Sequence, residues 1–163
     1  MHLAEYIFLH HGYITTSTIM ASRELLLKNP FTEGLPKHQD WDWIFKADFF
    51  CKAQAVFLDI PLTIYRTQYL GRSMSVSQRN TWKFSHDWIS KYKPYLSQEV
   101  IMSFDRGQVI PSLLNDHNFS KYSKYKFIRY ILLDFSYKER FIEWKNVIIP
   151  FIYRQLKGRY GKK

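Results

Sequence analysis

Three stretches in the first half of the chain have the hydrophobic pattern of β-strands. Residues 13–20 are rich in β-branched side chains, which favour an extended backbone. Residues 55–58 form a short apolar run that Pro61 ends, as expected for a buried strand, and residues 62–66 predict one more strand. The pattern therefore predicts a sheet in this part of the chain.

Helical periodicity lies between these predicted strands. Ser22 is placed to cap a short helix over 23–28, and Pro30 stops that helix. Residues 40–52 carry apolar side chains at three- and four-residue spacing, which predicts an amphipathic helix. Acidic residues at the start of this second helix suit the positive end of the helix dipole.

Beyond residue 80 the pattern is helical throughout, with breaks at prolines, a glycine and one polar stretch. The mixture of strands and helices therefore ends near residue 78. We predict an α/β fold over residues 1–78, followed by a helical region over residues 79–163.

Composition supports a folded protein. The 163 residues are 46% apolar and 18% aromatic, which is enough to bury one core and argues against disorder. A single cysteine, Cys51, excludes an internal disulfide and a cysteine-based zinc site, so we expect a cytoplasmic location. No signal peptide is evident, and no apolar run reaches the roughly 18 residues that span a bilayer.

Positive charge is concentrated at the end of the chain. The net charge is +10, and residues 120–163 hold twelve Lys or Arg against three acids, interleaved with aromatic residues. A basic, amphipathic segment of this kind suits the inner face of an anionic membrane, as a peripheral contact. Single-stranded nucleic acid would suit the same residues, although no nucleic-acid motif is present, and a helical cap with solvated lysines is the plain alternative.

The segment from Lys37 to Trp43 holds the most informative polar residues. Asp40 and Asp42 are flanked by tryptophans, which shield a carboxylate from water and can prepare it to act as a general base. Acids here could instead simply begin a helix. An Asp-x-Asp metal site normally follows an apolar strand, which is missing here, and a zinc site with His38 would lack a fourth ligand.

Five segments in order resemble the second half of family 2 glycosyltransferases, the acceptor-side part of their GT-A fold. In that family a hydroxyl-rich strand leads to an Arg-bearing helix, a Phe-Asp-Glu-like loop, a Glu-Asp pair and a strand ending in Pro-Leu-x-x-Tyr-Arg. The matching segments here are ITTSTIMASR (14–23), FTEGL (31–35), HQDWDW (38–43), PLTIYR (61–66) and SMS (73–75). The resemblance covers residues 3 to 80 and implies a partial, Rossmann-like GT-A domain.

The resemblance places the catalytic base of the family on Asp40, with Gln39 where the family usually has Glu. This carboxylate would take the proton of an acceptor hydroxyl that attacks the anomeric carbon, so that one in-line displacement inverts the configuration. Asp42 would lie behind the site or begin the helix. Trp41 would offer a stacking surface for a sugar or belong to the core, as would Trp43.

Further substrate contacts are implied at the hydroxyl-rich segment and at one arginine. Thr16, Ser17 and Thr18 would line the acceptor pocket, or would be ordinary hydroxyls on a strand. Arg66 would bind the donor diphosphate through its forked guanidinium. The family often has Arg-x-His at this place, whereas this chain has Arg66-Thr67-Gln68.

The nucleotide-binding half of such an enzyme has no counterpart in this sequence. We therefore expect transfer from a nucleotide-sugar to a saccharide or lipid-linked acceptor in cell-surface polysaccharide synthesis, with this chain inactive alone. The complete enzyme would use Mg or Mn, for which this chain alone supplies no site. Unpaired sheet edges would invite self-association. A non-catalytic binding or scaffold protein and a nucleic-acid-binding module are the alternatives.

Overall fold

The computed structural model describes residues 1–64 and 81–133, together with 145, 149 and 150. Regular structure in these residues is helical, and none of them lies in a strand. The α-helices are α1 (Leu3–Phe8), α2 (Arg23–Lys28), α3 (Gln39–Phe49), α4 (Trp82–Tyr92), α5 (Gln98–Phe104), α6 (Ile110–Leu114) and α7 (Lys121–Leu132). Short 3₁₀ turns occupy Thr16–Thr18 and Lys93–Tyr95, and a π-helical turn over Asp105–Val109 joins α5 to α6.

Serine side chains begin three of these helices. A serine oxygen at the N-cap accepts a hydrogen bond from a backbone N–H that the helix itself cannot satisfy. The pairs are Ser22 with Leu25 at 3.1 Å, Ser97 with Val100 at 3.4 Å and Ser120 with Ser123 at 3.1 Å. The predicted helix over 23–28 is therefore confirmed, together with its capping residue.

The helix predicted over 40–52 forms, but it begins one residue earlier and ends at Phe49. Lys52 adopts a left-handed backbone with φ of 55°, which breaks the helical path. The Ala53 N–H then bonds back to the Ala47 carbonyl at 3.0 Å. A left-handed residue with this backward bond is a common way to end a helix.

The predicted α/β fold, a partial Rossmann-like GT-A domain, is wrong for the described residues. Within 13–20 the backbone closes on itself: the Thr18 N–H bonds to the Thr15 carbonyl at 2.9 Å, and the Ile19 N–H to the Thr16 carbonyl at 3.2 Å. A strand needs a neighbouring strand for these groups, and the described residues offer none.

The other two predicted strands also fail to form where they are described. Residues 55–58 and 62–64 have no regular structure, while residues 65 and 66 lie outside the described residues. The predicted buried strand is in fact exposed, since Val56 retains 84% of its surface in solvent. Its apolar composition therefore does not reflect burial in this chain.

One hydrophobic core unites helices from both sides of residue 78. Phe45 of α3 stacks on Trp88 of α4 with ring centroids 5.4 Å apart, and Trp88 lies 5.6 Å from Phe104 of α5. Phe8 of α1 meets Phe104 edge-on at 5.4 Å. All but Phe8 are almost fully buried. The division near residue 78 remains a prediction, but the helices before it share their apolar contacts with those after it.

Helix α7 lies in the basic, aromatic segment at the end of the chain. It buries Ile128, Ile131 and Leu132 against the other helices, while Tyr122 and Tyr130 face solvent. The helix is therefore amphipathic and is packed on the core. No described helix has both the length and the apolarity that crossing a bilayer requires.

Candidate functional site

The site predicted around Asp40 is built on the first turn of α3, and His38 fixes where that turn begins. His38 precedes the helix in a left-handed backbone conformation, with φ of 68°. Its imidazole is buried, stacks on Trp41 with ring centroids 4.9 Å apart, and its Nε2 is hydrogen-bonded to the Ser85 hydroxyl at 2.8 Å. The start of α3 is thereby tied to α4.

The environment of His38 keeps its ring neutral. Burial, and secondarily the positive charge of Lys37, lower the pKa of His38 to about 3. Burial also lowers the pKa of Lys37, whose ammonium group donates to the Gln108 side chain at 3.0 Å. His38 is therefore a neutral packing and hydrogen-bonding residue here, rather than a cation.

Asp40 lies half-buried in the first turn of α3 and meets the hydroxyl-rich segment. The Thr16 hydroxyl donates a hydrogen bond to Oδ1 of Asp40. These two residues are 24 positions apart, so the contact joins two separate parts of the chain. The structure thus brings together the predicted base and one of the predicted acceptor-pocket hydroxyls, and their roles in catalysis remain predictions.

The remaining hydroxyls of this segment bond mainly to one another. The Thr18 hydroxyl donates to the Thr15 carbonyl at 2.8 Å and accepts from the Thr15 N–H at 3.1 Å. The Thr15 and Ser17 hydroxyls are hydrogen-bonded at 3.1 Å, and the Ser17 carbonyl accepts from Thr63 at 3.3 Å. This turn, rather than a strand, presents the hydroxyl group of Thr16 to Asp40.

Asp42 is buried in the interior, unlike Asp40, which is partly exposed. Its carboxylate accepts hydrogen bonds from Trp88 Nε1 at 3.0 Å, from the Tyr92 hydroxyl at 2.8 Å and from the Thr32 hydroxyl at 2.7 Å. The Lys46 ammonium group lies 3.5 Å away. Four protein groups therefore occupy this carboxylate, which sequence analysis placed behind the site or at the start of the helix.

Opposing effects act on the ionisation of Asp42. Burial raises its pKa, but hydrogen bonds from Thr32, Trp88 and Tyr92, with the charge of Lys46, lower it more, so the net pKa is below the ordinary value. Burial, followed by the hydrogen bond to Asp42 and the charge of that carboxylate, raises the pKa of Tyr92. The pair is thus a carboxylate and a neutral phenol.

The two aspartates do not form the metal site that an Asp-x-Asp pattern suggests. Residues two apart on a helix point to different sides, and here Asp42 faces the core while Asp40 faces Thr16. Among the described residues, no group of three or more His, Cys, Asp or Glu side chains could hold a metal ion. Asp40 and Asp42 therefore do not converge on one ion.

Gln39 and the two tryptophans of the motif contribute unequally to the surface. The Gln39 side chain donates to the Leu35 carbonyl at 2.6 Å, which closes the loop before α3. Trp43 is buried, and its indole donates to the Asn29 carbonyl at 2.7 Å, so it belongs to the core. Trp41 is only half-buried, with one edge packed on Phe8 at 4.9 Å. Of the two tryptophans, Trp41 is the one that retains partly exposed surface.

The remaining candidates lie elsewhere. Arg66, predicted to bind the diphosphate, falls outside the described residues. His10 and His11 are exposed near the end of α1. His86 lies in α4, 4.0 Å from Asp105 and edge-on to Phe127. Sequence analysis did not predict that His38 binds Ser85 and stacks on Trp41. It also did not predict that Asp42 accepts hydrogen bonds from Trp88 and Tyr92 in the interior.

Comparison with known proteins gives one informative relative. No protein-family model and no solved structure matches the chain. It is 29% identical over 136 residues to the amylovoran biosynthesis glycosyltransferase AmsB of Erwinia amylovora, an alignment that covers 80% of this chain and 42% of that protein. The chain thus spans less than half the length of this relative. The similarity supports a glycosyltransferase in general, and it does not distinguish the family or the mechanism.

Proposed function

We propose that the protein transfers a sugar from a nucleotide-sugar to a hydroxyl group of a saccharide or lipid-linked acceptor, as an inverting family 2 glycosyltransferase of cell-surface polysaccharide synthesis. Two findings support the proposal. The relative just described is named as a glycosyltransferase of amylovoran biosynthesis. Asp40 is the acid of the tryptophan-flanked motif that remains partly exposed, beside a hydroxyl-rich turn.

In this mechanism Asp40 is the general base. Its carboxylate takes the proton of the acceptor hydroxyl while that oxygen forms a bond to the anomeric carbon of the donor sugar. The bond between the anomeric carbon and the diphosphate oxygen breaks at the same time, and the nucleoside diphosphate leaves with the bonding electron pair. Attack opposite the leaving group inverts the anomeric configuration.

The position of Asp40 carries this assignment. Asp40 lies in the first turn of α3, where its partly exposed carboxylate meets the hydroxyl-rich turn. Trp41 is half-buried next to it and would supply a stacking face for the acceptor sugar. Asp42, by contrast, is committed to interior hydrogen bonds, so we assign it to holding α3 in place rather than to binding substrate.

Gln39, Ser17, Thr18 and Arg66 remain proposed substrate contacts. The Mg or Mn ion expected of a complete enzyme also remains a proposal, and no step above is routed through it. A peripheral membrane contact through 121–163 is proposed on the same footing, since α7 displays exposed tyrosines among basic residues.

The Asp40→Asn variant of the full-length protein tests the function. Asparagine keeps the size and the Thr16 contact but cannot take up the proton, so we expect transfer to fall by about a hundredfold or more, with donor binding unchanged. Asp87→Asn, an exposed carboxylate of α4, is the matched control and should retain activity.

Transfer is measured as nucleoside diphosphate released from UDP-glucose, UDP-galactose, UDP-N-acetylglucosamine and GDP-mannose, with a membrane lipid extract as the acceptor. An Asp40→Asn variant as active as the control would remove Asp40 as the base. A wild-type protein that binds these donors or the lipid but transfers nothing would favour a non-catalytic binding role.

A further inference from the structure

The four hydroxyl groups of residues 15–18 are not equivalent, although their sequence is nearly uniform. Thr18 both donates to and accepts from the backbone of Thr15, which closes the 3₁₀ turn. The hydroxyls of Thr15 and Ser17 bond to each other. Thr16 is the member of the set whose hydroxyl leaves the turn and donates to a side chain elsewhere in the chain, the carboxylate of Asp40.

The turn that carries Thr16 is fixed at several points. Two backbone bonds close it, Thr18 N–H to the Thr15 carbonyl at 2.9 Å and Ile19 N–H to the Thr16 carbonyl at 3.2 Å. Thr63 donates to the Ser17 carbonyl at 3.3 Å and joins the turn to a second segment. A β-branched threonine also has few side-chain rotamers. The direction of the Thr16 hydroxyl is therefore set before any ligand binds.

The partner of Thr16 is equally well placed on its own side. Two residues before Asp40, His38 is hydrogen-bonded to Ser85 and stacked on Trp41. Two residues after it, Asp42 accepts a hydrogen bond from Trp88 of α4. The backbone of Asp40 is thus held firmly, whereas its side chain still has two rotatable bonds. One hydrogen bond from a fixed donor selects a carboxylate rotamer and leaves the other oxygen available for a proton.

We propose that Thr16 is a positioning residue, whose hydroxyl orients the Asp40 carboxylate towards the acceptor, and that it does not itself bind the acceptor. The inference rests on the proposed function, because it assigns a role within the same site. It separates Thr16 from Ser17, which sequence analysis grouped with it but whose hydroxyl bonds to Thr15 within the turn. Loss of the Thr16 hydroxyl therefore affects turnover, whereas a lost acceptor contact affects KM.

The test compares Thr16→Val, Thr16→Ser and the control Asp87→Asn in the full-length protein, with the donor panel and lipid extract described above. Valine keeps the shape of threonine without the hydroxyl, and we expect kcat to fall about ten- to a hundredfold, as when a reacting group is misplaced by about 1 Å, with the acceptor KM unchanged. Thr16→Ser restores the hydroxyl and should recover most of kcat. Asp87→Asn, on α4 and outside the site, should leave kcat unchanged.

A second measurement needs no substrate. In the 163-residue chain, the side-chain carboxyl ¹³C resonance of Asp40, assigned from Asp40→Asn, should shift in Thr16→Val and stay in place in Ser17→Ala. An unmoved resonance in Thr16→Val would show that the contact does not hold the carboxylate. A raised acceptor KM with normal kcat would make Thr16 a substrate contact. Either result overturns the inference.

Combining Thr16→Val with Asp40→Asn separates the two hypotheses. If Thr16 acts only through Asp40, valine costs nothing further in the Asp40→Asn background, because the group that it positions is already disabled. Full activity in Asp40→Asn alone would reject the proposed base. An inactive Asp40→Asn beside a fully active Thr16→Val would reject only the role of Thr16.

Discussion

The interior hydrogen bonds of Asp42 lead to a quantitative stability prediction. Replacing Asp42 with Ala removes the acceptor for Trp88, which is 1% exposed, and for Tyr92, which is 6% exposed. Each buried donor left without a partner costs about 1–3 kcal/mol. With the Lys46 and Thr32 contacts also lost, Asp42→Ala should destabilise the fold by about 3–5 kcal/mol, the range for breaking a buried charged pair.

Asp42→Asn should cost less, about 1–2 kcal/mol, because the amide oxygen still accepts from one or both of the α4 donors. Urea unfolding of the two variants measures the difference, and a change of 1 kcal/mol corresponds to about 2–4 °C in Tm for a chain of this size. Asp87→Ala removes an exposed carboxylate from α4 and should stay within about 0.5 kcal/mol of the wild type.

The acid dependence of this effect follows from the lowered pKa of Asp42. Since the folded state favours the ionised form of Asp42, this carboxylate stabilises the fold at neutral pH, and that stabilisation is lost as the pH falls through the folded pKa. The difference in free energy of unfolding between the wild type and Asp42→Asn should therefore become smaller in strong acid. An Asp42→Ala variant within about 1 kcal/mol of the wild type at neutral pH would refute the reasoning, since two buried donors would then be lost at almost no cost.

Two further predictions concern the fold around the site. The pKa of His38 is lowered from 6.5 to about 3, so the unfolded chain takes up a proton at a higher pH than the folded chain does. The free energy of unfolding should therefore fall by up to about 1.4 kcal/mol for each unit by which the pH drops between 6.5 and about 3. His38→Asn, which tolerates the left-handed backbone, should flatten that slope in urea unfolding at several pH values, and equal slopes would contradict the burial argument. At Gly12 an added methyl group would lie 2.2 Å from the Tyr6 ring, so Gly12→Ala should cost about 1–3 kcal/mol in thermal unfolding. Adding Tyr6→Ala should cancel part of that loss, and strict additivity would show that the ring is not the obstacle.

Local signals in the sequence predicted the helices well. Ser22 lies immediately before a helical stretch that Pro30 closes, and both residues act within a few positions of the helix that they delimit. The spacing of apolar residues over 40–52 likewise predicts the face of α3 that is buried in the structure. Such features depend on neighbours in sequence, so they can be inferred without knowledge of the fold.

The predicted strands failed for the opposite reason. The β-branched residues of 13–20 favour an extended backbone, but this preference does not by itself form a strand unless a second strand supplies hydrogen bonds. In the described residues the hydroxyls of Thr15 and Thr18 offer a local alternative, and a 3₁₀ turn forms. Threonine and serine hydroxyls commonly compete in this way with regular structure.

The candidate site was predicted in part. The motif located Asp40 and its hydroxyl-rich neighbours, which the fold brings together across 24 positions. Sequence analysis separated Asp42 from the predicted base, but its partners could not be inferred, because Trp88 and Tyr92 lie 46 and 50 positions further along the chain. Nothing local distinguishes a carboxylate that will be buried from one that will face solvent.

The ring stack of Phe45 on Trp88 constrains how this chain can change over evolutionary time. Each ring fills space that the other leaves, so a smaller side chain at one position opens a void unless the other grows. Substitutions at these two positions should therefore occur in pairs. Joining the part before residue 78 from one distant homologue to the part after it from another should therefore destabilise the fold, because Phe45 and Trp88 would no longer come from the same protein.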